Sequence, residues 1–405
     1  MDFRSRLAAR VDDISPFQVM EVQTAARALE AAGRSVVHME IGEPDFPTPA
    51  PVLDAARAAL DDGGIYYTSA LGLPELRAAI ARHYGERYGV DVSPGRVVVT
   101  SGSSAALLLA MALLVNRDEQ VLMADPGYPC NRTFVRTLEG EPLGVAVGAD
   151  TRYQLTADLV ANHWTPRTRA VLVASPSNPT GTTIARDELA RIAAIVADRG
   201  RRLVVDEIYL GLSYDLAPGA RPASALAISD EVFALSSFSK YFNMTGWRLG
   251  WLVAPERHVR DLEKLAQNLY ISPPTLSQRA ALACFEPATI ALLEGRREAF
   301  RERRDLLVPA LRAMGFGIPV TPDGGFFVYA DITRFASDSV AFCRDVLERA
   351  GVAITPGIDF GAHRGRSHVR FAYTIAREKI EDGIARLAAY LPGNARRSGS
   401  AAVGA

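Results

Sequence analysis

The feature that most constrains the fold is a series of short apolar segments that alternate with helical patterns between Arg96 and Val253. Helical patterns lie between several of these segments, and the one from Arg186 to Arg199 is followed by Gly200, a common residue at a helix C-terminus. Nearly continuous apolar strands separated by helices are typical of a mostly parallel sheet that helices cover on both faces. The strands predicted here are 97–100, 121–124, 170–174, 203–205, 232–235 and 249–253.

The pattern changes after about Glu286, where a long helical stretch rich in Arg and Glu runs from Ile290 to Met314. Beyond it we predict strands at 325–330 and 369–372, and helices near 339–350 and up to about Leu391. This mixture indicates a smaller α+β domain, which an N-terminal helix over 16–32 is expected to join. The predicted organisation is a large domain over 46–288, a discontinuous small domain over 15–45 and 289–392, and a disordered tail over 393–405.

Charge and composition exclude several classes of protein. A formal net charge of −1 argues against binding of nucleic acid or membrane surfaces through bulk electrostatics. The longest apolar stretch, 105–115, is shorter than the roughly 20 residues that a membrane span needs. The start of the chain lacks the apolar core of a signal peptide, and Cys130, Cys284 and Cys343 are widely spaced. We therefore expect a cytoplasmic protein with free thiols and no metal site.

Lysine is scarce, since three of the 45 basic residues are lysines. Lys264 and Lys379 lie on amphipathic helical patterns and are interpreted as exposed. Lys240 follows the predicted strand 232–235, and ligands of open α/β sheets gather where such strands end. An amine can lose its proton and condense with an aldehyde, whereas a guanidinium cannot. Lys240 after hydroxyl residues, with Arg248 eight residues downstream, therefore predicts a Schiff-base site for pyridoxal phosphate.

A second predicted strand, 97–100, ends in a loop that could bind a phosphate. The loop is Ser101-Gly102-Ser103-Ser104, and a helix over 105–115 is predicted to follow it. Free N–H groups and the positive dipole end at a helix N-terminus favour phosphate binding. The alternative is an ordinary serine N-cap, and the loop matches neither the dinucleotide fingerprint nor the Walker A motif.

Three further strand ends carry phenols, an amide and a carboxylate. Tyr128, fixed between glycine and proline, could stack on a planar ring, while Asp125 before it is interpreted as an ordinary turn residue. Asn178 follows strand 170–174 in a sequence that is also a common turn. Asp206 and Tyr209 follow strand 203–205, and a buried carboxylate needs a proton-bearing partner such as a protonated pyridine nitrogen. Taken together, the strand ends predict a pyridoxal phosphate site.

The chain resembles the class I/II aminotransferases, a family of fold type I pyridoxal phosphate enzymes, over about Ser15 to Leu391. Ser-x-Ser-Lys followed by Gly-Trp-Arg-Leu-Gly is highly specific for this group, whereas Asn-Pro-Thr-Gly alone is not. The resemblance implies an α/β fold, in which a large domain with a mostly parallel, seven-stranded-type sheet covered by helices is joined to a smaller α+β domain. The motifs that carry it are Gly42-Glu-Pro-Asp-Phe46, Tyr67 with Gly72-Leu-Pro-Glu-Leu-Arg77, Ser101-Gly-Ser-Ser104, Asn178-Pro-Thr-Gly181, Asp206-Glu-Ile-Tyr209, Ser237-Phe-Ser-Lys240, Gly246-Trp-Arg-Leu-Gly250 and Arg370 in Val-Arg-Phe-Ala.

The resemblance also implies roles for the residues that would contact the cofactor. Lys240 would form the Schiff base and move a proton at the substrate Cα, and Asp206 would keep the ring nitrogen protonated. Tyr209 and Asn178 would hydrogen-bond the ring hydroxyl oxygen, and Tyr128 would stack on the ring. The phosphate contacts that it implies are Arg248, Ser237, Ser239, Ser103 and Ser104.

For the substrate and the partner subunit the resemblance implies four further roles. Arg370 would bind the α-carboxylate of the amino acid, with Gly42 and Asn178 beside it. Tyr67 would reach the phosphate of the neighbouring subunit, which implies an obligate homodimer. The reaction implied is transfer of an amino group between an amino acid and a 2-oxo acid.

The sequence departs from the aspartate-specific members that it resembles. Those members have a lysine in the phosphate-loop region that binds the distal carboxylate, and the stretch 103–105 has none here. We therefore expect neutral, apolar or aromatic amino donors. The residues expected to surround the donor side chain are Phe17, Tyr67, Tyr128 and Ile358.

Two alternative functions remain open at this point. β-Elimination on a sulfur amino acid, or decarboxylation, would use the same fold and cofactor. The motifs around the cofactor barely separate these reactions, which differ in the bonds broken at Cα and Cβ of the amino acid. A regulatory protein with an aminotransferase-like domain would need a DNA-binding module, and the segment before Pro16 is too short to form one.

Overall fold

The computed structural model describes residues 8–217 and 219–394. Its strands are β1 (Val37–His38), β2 (Val97–Thr100), β3 (Gln120–Asp125), β4 (Glu141–Ala146), β5 (Thr168–Ala174), β6 (Arg202–Asp206), β7 (Phe233–Ser237), β8 (Gly250–Val253), β9 (Phe327–Asp331), β10 (Val352–Ala353), β11 (Thr355–Pro356) and β12 (His368–Ala372). Its helices are α1 (Gln18–Ala31), α2 (Ala50–Asp61), α3 (Pro74–His83), α4 (Ser103–Leu114), α5 (Pro129–Thr137), α6 (Ala157–Asn162), α7 (Arg186–Asp198), α8 (Glu256–Tyr270), α9 (Thr275–Ala281), α10 (Pro287–Met314), α11 (Ser339–Ala350) and α12 (Arg377–Asn394).

The large sheet contains seven strands in the order β2-β8-β7-β6-β5-β3-β4. β8 is antiparallel to both of its neighbours, and the other neighbouring strands run parallel. The predicted α/β fold with a mostly parallel sheet is therefore confirmed. The strand β4 was not predicted, because it is a half-exposed edge strand with a proline and lacks the continuous apolar run of a buried strand.

Successive side chains of the central strands point to opposite faces of the sheet, and helices pack against both faces. In β6, Val204 packs into a cluster that includes Leu107 of α4 and Leu262 of α8. Its neighbours Leu203 and Val205 point the other way, into a second cluster that includes Leu189 of α7. Because successive side chains of a strand face opposite sides, both faces of this sheet are buried by helices.

The smaller α+β domain contains a three-stranded antiparallel sheet, β11-β12-β9, and the short parallel pair β1-β10. Helix α1 joins this domain as expected, since Ala26 of α1 packs with Leu347 and Ala353. Helix α12 continues to Asn394, past the end that was predicted near Leu391, and so includes 393–394 of the predicted tail. The rest of that tail, 395–405, lies outside the described residues. The exact domain boundaries stay a prediction.

None of the helices within residues 8–394, residue 218 aside, has the length and hydropathy needed to cross a bilayer. The strands β3, β5, β6 and β7 are parallel, so their carboxyl ends lie along one edge of the large sheet. Loops carrying polar residues leave the sheet at this edge, and the small domain faces them. Such an edge is where ligands of open α/β sheets bind.

Candidate active site

A cavity of about 370 Å³ lies at the carboxyl edge of the large sheet and is also lined by residues of the small domain. Eleven of the thirteen site residues named from the sequence line it. These are Gly42, Ser103, Ser104, Tyr128, Asn178, Asp206, Tyr209, Ser239, Lys240, Arg248 and Arg370. Residues far apart in the chain thus meet in one place, and the two exceptions are Ser237 and Tyr67.

Lys240 is held by the segment that follows β7. Its Nζ donates a hydrogen bond to the carbonyl oxygen of Gly42 at 2.6 Å. Burial lowers the pKa of Lys240 to about 8; Arg370 and Arg248 act in the same direction, while Glu43 and Asp206 oppose the shift. At neutral pH about a tenth of such an amine is unprotonated, so the group can act as a nucleophile or a base.

Asp206, the last residue of β6, presents a buried carboxylate to the cavity. Its Oδ1 accepts the N–H of Ile208 at 3.1 Å, and the carboxylate makes no other hydrogen bond to the described residues. Burial raises the pKa of Asp206 to about 6, against the opposing influence of this N–H and of Lys240. A buried carboxylate with one donor favours a ligand that brings a proton to its free oxygen.

An anion-binding arrangement forms where α4 begins. Ser103 and Ser104 are its first residues, and the N-terminus has no side-chain cap. Arg248 lies beside it, with Nη1 3.5 Å from Ser239 Oγ and 3.0 Å from the carbonyl oxygen of Thr245. A Cβ at Gly102 would lie 2.6 Å from Arg248 Nη2, so only glycine leaves the guanidinium in this position. Helix N–H groups, hydroxyls and a guanidinium together suit a phosphate.

Ser237 lies behind this arrangement and does not line the cavity. Its Oγ is 2.9 Å from Ser239 Oγ and 3.2 Å from the carbonyl oxygen of Leu249, and it accepts the N–H of Ser239 at 3.0 Å. These contacts shape the turn that brings Ser239 to the cavity. The direct phosphate contact predicted for Ser237 does not follow from this geometry.

Arg370 lies on β12 at the small-domain side of the cavity and is buried. Its Nη1 donates to Asn178 Oδ1 at 3.0 Å, and its Nη2 donates to the carbonyl oxygen of Glu40. The guanidinium lies 4.3 Å from the ring centre of Phe327 and 4.8 Å from that of Phe360. The buried Nε–H has no partner among the described residues, so donor capacity remains for an anion.

The Arg370 guanidinium keeps its charge in this setting. Burial lowers its pKa to about 10, while nearby Tyr209, Asp359, Glu40 and Tyr128 oppose the shift. A pKa of this size leaves the group protonated at neutral pH. A buried cation between two aromatic rings is well suited to a carboxylate ligand.

Two phenols complete the predicted set. Tyr209 is buried edge-on against Phe326 and Phe327, and burial raises its pKa. Its hydroxyl makes no hydrogen bond within the described part of the chain. Tyr128 precedes α5 and meets the ring of Phe17 edge-on at 6.4 Å, and burial raises its pKa too. Both phenols are therefore neutral hydrogen-bonding groups at physiological pH.

The two other predicted wall residues do not reach the cavity in a single chain. Tyr67 is 79% exposed, so any contact it makes with a cofactor would require a second subunit. Ile358 is 37% exposed and does not line the cavity of the single chain, so its place in the wall stays a prediction. Phe17 does line the cavity, together with Val19 and Met20 of α1.

Sequence reasoning missed Glu43 and Thr245, which face the cavity beside Lys240. Thr245 Oγ1 donates to Glu43 Oε1 at 2.6 Å, and the Glu43 charge raises the pKa of Lys240. Glu43 belongs to the Gly42-Glu-Pro-Asp-Phe46 motif, which was a signal in the sequence. The packing of Phe327 on Arg370 had no such signal.

The structure corrects the interpretation of Asp125. The sequence suggested an ordinary turn residue, but its carboxylate accepts the N–H groups of Ala362 and His363 at 3.0 to 3.3 Å. A Cβ at Gly361 would lie 1.7 Å from Asp125 Oδ1. Asp125 therefore ties the large sheet to the segment that follows Phe360, a contact that depends on residues more than 200 positions away.

The chain is similar to aminotransferases over nearly its whole length. The family model "Aminotransferase class I and II" matches residues 34–387. The valine–pyruvate aminotransferase of Mycobacterium tuberculosis is 42% identical over 96% of this chain and 99% of its own length. A crystal structure of an aminotransferase from the same organism has a TM-score of 0.91 at 43% identity, covering 96% of this chain and 99% of the other. The aspartate aminotransferase of Thermus thermophilus with maleate has a TM-score of 0.88 at 33% identity, covering 95% and 99%.

Proposed function

The chain belongs to the aminotransferase class I and II family, and from this premise we propose that its cavity binds pyridoxal phosphate and takes the amino group from a neutral, apolar or aromatic amino acid. The chain is an aminotransferase. Membership of the family implies the cofactor, and it implies an amino acid and a 2-oxo acid as substrates. The choice of donor and the roles of individual residues are proposals.

Three observations on this chain fit the cofactor. Asp206 offers a buried carboxylate oxygen to a protonated ring nitrogen. The N-terminus of α4, Ser239 and Arg248 offer donors to a phosphate, and Gly102 provides the space that this requires. Lys240 offers an amine whose pKa is lowered to about 8. When bound, pyridoxal phosphate supplies an electron-withdrawing ring that stabilises negative charge developing at the substrate Cα.

In this proposal each side chain has a defined task. Lys240 holds the cofactor covalently in the resting enzyme and, once its amine is free, moves a proton to and from the substrate Cα. Asp206 keeps a proton on the ring nitrogen, and Tyr209 and Asn178 donate hydrogen bonds to the ring oxygen. Arg370 binds the α-carboxylate and so orients the substrate in the cavity.

The observation that carries the donor proposal is the set of charges around the cavity. Among the described residues, the cations that line it are Lys240, Arg248 and Arg370. All three cations already have roles in this proposal, so no cation remains to bind a distal carboxylate of the donor. The Glu43 carboxylate would repel such a group. The rest of the wall includes several apolar side chains, namely Phe17, Val19, Met20, Ile41 and Phe327. The name of the M. tuberculosis relative, a valine–pyruvate aminotransferase, supports the same class of donor.

The proposed function is tested by comparing amino donors. We expect kcat/KM for valine, leucine and phenylalanine to exceed that for aspartate by at least about tenfold, with pyruvate or 2-oxoglutarate as acceptor. A tenfold advantage for aspartate would overturn the donor proposal. Assays without a 2-oxo acid serve as the control: steady release of ammonia or carbon dioxide there would indicate the elimination or decarboxylation alternative.

Replacing Arg370 should weaken every amino donor. We expect Arg370→Ala to lower kcat/KM by a factor that corresponds to about 2–4 kcal/mol, because the α-carboxylate loses its buried cation. Steady-state kinetics with valine and with alanine measure this directly. The loss should be similar for both donors, since both carry the same carboxylate.

Arg304→Ala is the matched control for Arg370→Ala. Arg304 is also a buried arginine, but it pairs with Asp215 and Asp305 and does not line the cavity. We expect this variant to be less stable and to keep its kcat/KM within a few fold. An equal loss of kcat/KM in the two variants would mean that Arg370 acts through general stability and not through the substrate.

We also propose a homodimer in which Tyr67 of each subunit reaches the phosphate site of the other. Ile65, Tyr66 and Tyr67 are consecutive exposed side chains, 41%, 79% and 79% exposed, and a second subunit would cover them. Tyr67→Phe should then raise the Kd for pyridoxal phosphate while the covalent link remains. Sedimentation of the wild-type enzyme as an active monomer would contradict the proposal.

A further inference from the structure

The first turn of α1 forms part of the cavity wall but carries no cap of its own. Phe17 precedes the helix and offers no side-chain hydrogen bond to it. Phe17, Val19 and Met20 all line the cavity. Unsatisfied N–H groups at a helix start need acceptors, so the position of this wall depends on a group from elsewhere.

That group is the carboxylate of Asp359, more than 300 residues along the chain. Its Oδ1 accepts the N–H of Gln18 at 3.0 Å, and its Oδ2 accepts the N–H of Val19 at 3.4 Å. Asp359 is buried and does not line the cavity. Burial raises its pKa, and the two N–H groups, Arg370 and Arg132 act in the opposite direction. A negative charge also complements the positive end of the helix dipole.

The segment that carries Asp359 is itself held against the large sheet. Arg132 of α5 donates to the carbonyl oxygens of Phe360 at 2.7 Å and Asp359 at 2.9 Å. The N–H of Gly127 donates to the same oxygen of Phe360 at 2.9 Å. Phe360 in turn lies against the Arg370 guanidinium. The Asp359 carboxylate is therefore placed by contacts with the same elements that carry Tyr128 and Arg370.

We propose that Asp359 is a positioning residue for donor selectivity, which fixes the first turn of α1 so that Phe17, Val19 and Met20 form the wall against the donor side chain. The inference rests on the proposed preference for apolar donors. It concerns the donor side chain and not the α-carboxylate, which all donors share. Asp359 acts through α1 and does not touch the substrate.

Loss of this carboxylate should affect large and small donors differently. Without its acceptors the first turn of α1 frays, and the apolar wall is no longer held in place. A branched or aromatic donor loses contacts that alanine never makes, so selectivity falls even where catalysis of alanine persists. A general loss of stability would instead lower the rates of all donors together.

The experiment compares Asp359→Ala and Asp359→Asn with a matched control, Asp338→Ala. Asp338 caps α11 in the same domain, accepting the N–H groups of Val340 and Ala341, and does not line the cavity. The quantity measured is the ratio of kcat/KM for leucine to that for alanine in the holoenzyme. We expect this ratio to fall about tenfold in Asp359→Ala, to fall less in Asp359→Asn, and to change less than twofold in Asp338→Ala.

Hydrogen exchange of residues 18–21 provides a readout that does not depend on activity. Exchange there should accelerate in Asp359→Ala and not in Asp338→Ala. An unchanged donor ratio, or an equal change in the control, would overturn the inference, as would unchanged exchange. If Asp359→Ala fails to fold, the donor ratio and the hydrogen exchange of Asp359→Asn test the inference instead. A wild-type enzyme without a preference for apolar donors would overturn the proposed function and the selectivity inference that rests on it. An unchanged donor ratio in Asp359→Ala of an enzyme that has this preference would overturn the inference alone.

Discussion

Lys240→Ala should leave a folded protein that is almost inactive. We expect kcat to fall by about four orders of magnitude, roughly 5 kcal/mol in activation free energy, because one substitution removes both the covalent attachment and the proton carrier. The amine is suited to both tasks because it is buried in the cavity and its pKa is lowered to about 8. Single-turnover kinetics, together with mass spectrometry after borohydride reduction, measure the two losses separately.

Lys264→Ala is the control for this loss. Lys264 is exposed and pairs with Asp261 at 2.9 Å on α8, so its removal should change neither turnover nor the cofactor adduct. The same mass spectrometry should locate the wild-type adduct on Lys240. An adduct on another lysine, or none after addition of pyridoxal phosphate, would show that Lys240 does not hold the cofactor.

Asp206→Asn should be nearly as damaging, although it changes one atom and little volume. An amide cannot keep a proton on the ring nitrogen, so the bound cofactor would withdraw electrons less strongly. We expect kcat to fall by about three orders of magnitude, or about 4 kcal/mol. With a positive ring nitrogen beside it, the Asp206 carboxylate should itself be stabilised, which lowers its pKa from the value of about 6 caused by burial.

The neighbouring carboxylate provides the matched control. Glu207 is also buried, but its partners are the Ser224 hydroxyl and the N–H of Ala225, and it does not line the cavity. Glutamine can keep both contacts, so Glu207→Gln should retain activity within about tenfold. Near wild-type activity in Asp206→Asn, or an equal loss in Glu207→Gln, would contradict the role given to Asp206.

Much of the fold was predictable because buried elements leave continuous patterns in the sequence. The helix predicted over 339–350 is α11 with the same bounds, and the strand predicted at 170–174 lies within β5. The strand β4 was not predicted because it is half exposed and carries no such pattern, whereas β2, at the other edge of the sheet, is buried along its whole length. The short strands β1 and β10 were not predicted because two residues are too few to show a periodic pattern.

Much of the candidate site was predictable for a related reason. Parallel strands end at one edge, so polar residues that directly follow them must lie together, as Asp206 and Asn178 do. The same reasoning cannot tell which of two nearby side chains turns inward. Ser239 faces the cavity and Ser237 does not, and Ile358 points outward where its neighbour Asp359 is buried.

The sequence by itself determined the fold class, the reactive amine and most of the polar groups around it, because periodicity and motif spacing are local properties. Only the tertiary structure showed that Asp359 caps α1 and that Asp125 holds the segment after Phe360. It was also needed to place Arg370 between Phe327 and Phe360. The Asp359 and Asp125 contacts join residues hundreds of positions apart, while Arg370, Phe327 and Phe360 are brought together by the packing of the small domain, and no local pattern records either arrangement.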